Sequence, residues 1–122
     1  MTVFHHTCIR VLDLARSQDF YQKALGFTAQ KEMTIHGGAW RLVFLGDGVT
    51  GNQLELCQVE GREQPYDLGD AGVHIGIVTD DFEALKAKHA AMGLITEEDA
   101  GLGIYFLQDP DGHDIEIVPK GN

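Results

Sequence analysis

Basic side chains are scarce: nine Lys and Arg stand against nineteen Asp and Glu, a formal charge of −10 over 122 residues. That balance opposes non-specific contact with phosphate backbones and anionic membranes, so neither nucleic acid nor a membrane surface is an expected partner. It also requires that any anionic small substrate be held by local cations. Long apolar runs are missing too, none approaching the roughly 18 to 20 residues that span a bilayer. The opening stretch MTVFHHTCIR has neither a basic leader nor an apolar signal core, which makes the cytoplasm the expected location. Cysteine is limited to Cys8 and Cys57, too few and too distant for a zinc ribbon or a secreted disulfide framework, and reduced thiols are expected. With no low-complexity tract or polar linker, and with 43% hydrophobic and 8% aromatic residues, the chain reads as a single soluble domain over 1–122.

What the sequence does contain is an internal echo. HTCIRVLDLARSQDFYQKALGF (6–27) reads as a strand, a short helix and a Gly stop, with Phe20, Tyr21, Ala24 and Leu25 as the apolar helical stripe. HIGIVTDDFEALKAKHAAMGL (74–94) repeats that plan, with Asp80 or Asp81 as N-cap, Phe82, Leu85, His89 and Met92 on one face, and Gly93 as the stop. Three strand candidates follow each unit: FTAQKEM, WRLVFLG and NQLELCQV in the first half, LITEE, GIYFLQ and HDIEIV in the second. Turn signals HGG, GDGVTGN and DPDG separate them. The expected fold is therefore α+β: two tandem βαβββ modules, about 2–60 and 72–119, joined by a connector at 61–71, forming a mixed, partly open sheet with helices on its outer face.

A right-handed strand–helix–strand crossover followed by two hairpins leaves the fourth strand of each module parallel to the first. If the meander returns beside that first strand, HTCIRV neighbours QLELCQ and HIGIV neighbours HDIEIV. Side chains alternate faces along a strand, so these four strands can be sorted by parity. One face holds Thr7, Ile9, Val11, Leu54, Leu56, Ile75, Ile77, Ile115 and Ile117, an apolar surface for the helices. The other holds His6, Cys8 and Arg10, then Glu55 and Cys57, then His74, and finally Glu116. Any one of these polar residues alone is ordinary on a solvated strand face. Their recurrence is not: a histidine opens the first strand of each half, and a glutamate sits between two aliphatics in the last. Two imidazoles and two carboxylates on one side of the sheet suit a borderline divalent ion, with water in the remaining positions.

With these residues in view, the chain resembles the vicinal oxygen chelate superfamily (glyoxalase, bleomycin resistance and extradiol dioxygenase proteins), and within it the glyoxalase I type. The resemblance runs nearly the whole length and rests on HTCIRVLDLARSQDFYQKALGF, LEL, YDLGDAGVHIGI and FLQDPDGHDIEIV. It implies that His6, Glu55, His74 and Glu116 bind one divalent ion per site, with Ni²⁺ or Co²⁺ favoured and Zn²⁺ possible. Branches with three ligands, such as dioxygenases and fosfomycin-type thiol transferases, lack a counterpart of Glu55. The implied chemistry converts the hemithioacetal of methylglyoxal and glutathione, or a related thiol, to the S-lactoyl thioester through an enediolate. In that reading Glu116 is the principal base and Glu55 the second, and Arg10 contacts the glutathione carboxylate. Val59 stands where the family has an asparagine, and the loop EEDAGLGIY is shorter than the family's, so another thiol adduct stays open. A homodimer is also implied, with His6 and Glu55 of one chain facing His74 and Glu116 of the other. Another enzyme of the superfamily and a metal-free binding protein are the alternatives.

The remaining chemistry-bearing residues read as structural. His5 has the opposite parity to His6, His36 and His113 lie in turns, His89 belongs to a helix stripe, and Cys8 and Cys57 are expected as small buried hydrophobes.

Overall fold

The computed structural model describes residues 1–121. Two compact units divide the chain, Met1–Tyr66 and the stretch from Asp67 onward. In the first unit, β1 (His6–Arg10) leads into helix α1 (Leu14–Leu25), then β2 (Thr28–Ile35), β3 (Trp40–Gly46) and β4 (Gln53–Val59). The second unit repeats the order with β5 (His74–Thr79), α2 (Phe82–Ala91), β6 (Ile95–Asp99), β7 (Ile104–Gln108) and β8 (Asp114–Pro119). Each unit builds its own four-stranded mixed sheet, ordered β1-β4-β3-β2 and β5-β8-β7-β6. The expected return of the meander is present in both: β1 pairs parallel with β4, and β5 parallel with β8.

The helices form where local chemistry starts and stops them. The Asp13 carboxylate accepts from the Arg16 amide at the first turn of α1, and Gly26, at φ 73°, closes it by donating to Gln22 and Tyr21 carbonyls. In α2 the same starting role falls to Asp81, which accepts from Ala84. Here Met92 stays right-handed at the C-cap and Gly93 takes the positive φ one residue later. The buried line of α1 is Leu14, Ser17, Tyr21 and Ala24. Phe20 and Leu25, expected in the stripe, are only half-buried, because the helix turns its i, i+3, i+7 row from Leu14 onto the sheet. Met92 is exposed for a related reason: α2 has already ended at Ala91.

The apolar parity face became the core of each unit. In the first, Leu54 and Leu56 of β4 lie opposite Leu45 and Val43 of β3, all buried beneath α1. In the second, Ile115 and Ile117 of β8 lie opposite Leu107 and Tyr105 of β7, all with no exposed surface. One polar pair is sealed into that second core: His89 Nδ1 lies 2.8 Å from the Tyr105 hydroxyl. Burial pushes the Tyr105 phenol up to about 12. The helix-stripe histidine is thus structural, as its spacing implied.

Candidate metal centre and active site

On the opposite sheet face, register brings the repeated residues into pairs. In the first unit Thr7 and Ile9 register with Leu54 and Leu56, so His6 and Glu55 project from the other side of the same two strands. His6 Nε2 comes to 3.2 Å from Glu55 Oε1. In the second unit His74 Nε2 lies 3.6 Å from Glu116 Oε2. Two donors each about 2.1 Å from one ion, at tetrahedral to octahedral angles, are themselves roughly 3.0 to 3.4 Å apart, so the first pair has the spacing of ligands that share a cation and the second stands slightly wider. The half-exposed imidazoles and better covered carboxylates also suit an ion that must keep room for water or substrate. Among the described residues, no cluster of three or more His, Cys, Asp or Glu that could hold a metal occurs. What each unit holds is one His–Glu pair.

Each His–Glu pair rests on an aromatic ring that sequence reasoning missed. Phe44 is the β3 residue registered against Glu55, and its ring meets His6 edge-on with centroids 5.4 Å apart. Phe106 is registered against Glu116, and its ring meets His74 the same way at 5.7 Å. The signal was available: VFLG in the first half and YFLQ in the second put a phenylalanine at the same place in the third strand. A ring below an imidazole restricts its tilt and keeps the carboxylate beside it in a less watery setting.

His5 takes a more specific part than its parity implied. Its Nδ1 lies 2.7 Å from His6 Nδ1. When Nε2 of His6 offers its lone pair to a cation, Nδ1 must carry the ring proton, and it then donates to Nδ1 of His5. The contact couples the tautomers of the two rings, and Nε2 of His6 faces Glu55. Strand alternation concealed this because adjacent residues at a strand start still reach each other through rotatable side chains.

The cysteines split. Cys57 is buried, as expected, and burial raises its thiol pKa. Cys8 is exposed, contrary to expectation, because it lies on outer strand β1, which has a neighbour on one side only. Its thiol is nevertheless pushed up to about 12, by loss of water around the sulfur first and then by the Glu55 carboxylate beside it. Both therefore stay protonated near neutrality and make poor nucleophiles. Two cations share this face in the first unit. The Arg10 guanidinium stacks 4.3 Å over the Trp40 ring, and Lys31 stands 5.7 Å over Phe44.

A tandem βαβββ chain that repeats a His–Glu pair on the sheet face away from its helices defines a class, and comparison with known proteins gives that class its family. Residues 3–117 match the Glyoxalase/Bleomycin resistance protein/Dioxygenase superfamily. A lactoylglutathione lyase of Neisseria meningitidis is 35% identical, the match covering 94% of this chain and 88% of that protein. The Haemophilus influenzae lactoylglutathione lyase is 36% identical over 93% of this chain and 89% of its own length. Among solved structures, a trypanothione-dependent glyoxalase I from Leishmania major superposes with a TM-score of 0.85 at 33% identity, covering 98% of this chain and 88% of that one. The chain belongs to the glyoxalase/bleomycin resistance/dioxygenase superfamily, and its relatives place it with the glyoxalase I-like lyases.

Proposed function

We propose that the chain isomerises the hemithioacetal of methylglyoxal and glutathione, or of a related thiol, to the S-lactoyl thioester, in the cytoplasm. The observation that carries this reading is the repetition of one His–Glu pair, its side chains side by side and backed by phenylalanine, in both units. It needs four ligands on one divalent ion, and each unit supplies two: His6 with Glu55, and His74 with Glu116. Of the metals such a mixed nitrogen and oxygen set would accept, Ni²⁺ and Co²⁺ are favoured over Zn²⁺, and His6, Glu55, His74 and Glu116 are the residues that would hold the ion. A bound ion supplies Lewis acidity, acidifying the C–H next to the carbonyl and stabilising charge that develops on oxygen.

The chain's own groups do the proton transfer. A carboxylate oxygen of Glu116 takes the proton from one carbon, and a proton returns to the adjacent carbon from Glu116 or from Glu55 on the other side. Phe44 and Phe106 limit water beside those carboxylates, so the proton is passed on rather than lost to solvent. Arg10 and Lys31 supply the local cations that a net charge of −10 makes necessary for an anionic thiol adduct.

The four-ligand set forms between two copies of the chain in this reading. β1 and β5 are outer strands, each with one edge that no strand of its own sheet pairs, and exposed Val3, Phe4, Val73 and Val78 lie along or just before them. The test is complementation. His6→Ala and His74→Ala are each inactive alone; mixed, they form dimers in which one site carries both changes and the other carries neither. Recovery of a sizeable fraction of wild-type turnover with Ni²⁺ or Co²⁺ is the expected result. Activity that stays absent on mixing, with wild type active, rules out the shared site; no turnover by metal-loaded wild type rules out the activity.

A further inference from the structure

The second strand of each unit is irregular at the same place, and in both the irregularity decides which side chain faces the His–Glu pair. In β2, Ala29 registers with Leu45 and Lys31 with Phe44, which leaves Gln30 as an extra residue. In β6, Ile95 registers with Leu107 and Glu97 with Phe106, which leaves Thr96. Ala29 and Ile95 thus share the helix-covered face with the buried Leu45 and Leu107, and strict alternation would put Lys31 and Glu97 there too. The bulge reverses that parity. Bulges re-aim side chains, and one repeated in both halves of a duplicated chain is a built feature. The first is also packed: a Cβ on Gly46 would come within 2.9 Å of the Gln30 side chain, so the glycine leaves the room that Gln30 takes. In the second, the Thr96 hydroxyl donates to the Phe106 carbonyl at 3.2 Å.

The result is a row of registered residues across each sheet: Cys8, Glu55, Phe44 and Lys31 in the first unit, Gly76, Glu116, Phe106 and Glu97 in the second. The rows match until their last member, where the charge is opposite. Lys31 lies two strands from Glu55, about 10 Å between Cα atoms at the usual strand spacing. Its ammonium reaches back over the ring between them, 5.7 Å from the Phe44 centroid, and has no ion-pair partner among the described residues.

We propose that Lys31 is a specificity-determining residue for the aldehyde-derived half of the adduct. With the reacting carbons beside Glu55, a short apolar stem crosses Phe44 and a terminal anion meets the Lys31 ammonium. This rests on the proposed activity and deepens it. The class selected is 2-oxoaldehydes that end in a carboxylate on a short methylene chain, taken in addition to methylglyoxal. The Phe44 ring keeps the approach apolar, so the charge at its end discriminates by what the stem carries rather than by the thiol.

The experiment holds the thiol constant and varies the aldehyde, comparing glutathione hemithioacetals of methylglyoxal and of 4,5-dioxopentanoate in wild type, Lys31→Met and Lys31→Arg. Lys31→Met keeps the methylene stem over Phe44 and removes the charge. It is expected to raise KM for the carboxylated adduct about fivefold relative to KM for the methylglyoxal adduct, with the kcat ratio unchanged and Lys31→Arg close to wild type. The difference should shrink as added salt screens the charge. An equal KM change for both adducts, or a loss that Lys31→Arg does not recover, would overturn the inference and leave Lys31 as a guard on the outer strand β2. Binding without turnover separates this from the activity itself. By calorimetry, replacing S-butylglutathione with S-(3-carboxypropyl)glutathione should favour wild type over Lys31→Met by a similar factor, and the same affinity ratio in both proteins overturns the inference. Failure of wild type to turn over either adduct refutes the activity, while the calorimetric comparison still decides the role of Lys31.

Discussion

The two units share a plan and differ in what they have built on it. Three positions recur at a constant offset of 68: His6 and His74, the N-caps Asp13 and Asp81, and the buried helix residues Tyr21 and His89. The His–Glu–Phe arrangement is kept in both. Everything around it has diverged. Beside Glu55 the parallel strand carries Cys8, and beside Glu116 it carries Gly76. Arg10 in β1 has Val78 as its counterpart in β5, and Lys31, registered against Phe44, is matched by Glu97, registered against Phe106. The His–Glu pair is thus duplicated, while the cations beside it, Arg10 and Lys31, occur in the first unit alone at these registered positions. The cores differ as well, since the Tyr21 ring stacks on Phe27 where the second unit buries a hydrogen-bonded His89–Tyr105 pair.

The largest expected effect tests whether duplicated ligands have equal duties. Glu116→Gln should lower kcat at least about 100-fold with Ni²⁺ restored, the scale of a lost general base, and Glu55→Gln should cost less. Equal losses in steady-state kinetics would mean that the two carboxylates share the proton transfer evenly. Next comes the anchoring asymmetry. Arg10→Met should raise KM for the glutathione adduct about tenfold or more, as expected for a lost charged hydrogen bond, whereas Val78→Ala should leave it unchanged. An effect of Val78→Ala as large as that of Arg10→Met would erase the division of labour.

Third is the difference between cores. Tyr105→Phe removes a hydroxyl from Nδ1 of a buried imidazole and should cost about 1–3 kcal/mol in urea unfolding. It should also change the alkaline limb. The Tyr105 phenol titrates near 10.0 when unfolded and at about 12 in the fold, so the folded state retains its proton longer. Its contribution is complete below about pH 10 and is lost as the pH climbs toward 12, and the variant should lack that part of the decline. The smallest effect belongs to a helix start. Asp13→Ala and Asp81→Ala should each cost about 1 kcal/mol, and a clear inequality between them would show that the caps, like the cores, have diverged.

Much of this was legible in the sequence because period-two alternation is strict. Once Leu54, Leu56, Ile115 and Ile117 are assigned to the helices, Glu55 and Glu116 have only one face left to occupy. The turn at DPDG and the Asp81 cap were equally explicit. What escaped had different physics. The stacking of Arg10 on Trp40 depends on the register between β1, β4 and β3, which no single strand reveals. The contact between His5 and His6 depends on rotamers. The irregularities between Ala29 and Lys31 and between Ile95 and Glu97, one in the second strand of each unit, involve no glycine and so left no trace.

The turn before β8 carries a lesson about how such a chain can vary. Asp109 is buried there, and its carboxylate accepts from the Asp111 and His113 amides while its own amide donates to the His113 carbonyl. That knot fixes the number of residues between β7 and β8. A single inserted residue would rotate every later side chain by half a turn, sending Ile115 and Ile117 outward and Glu116 into the helix packing. The 109–113 segment therefore acts as a spacer of fixed length, and the face that Glu116 occupies is set as much by that turn as by the strand itself.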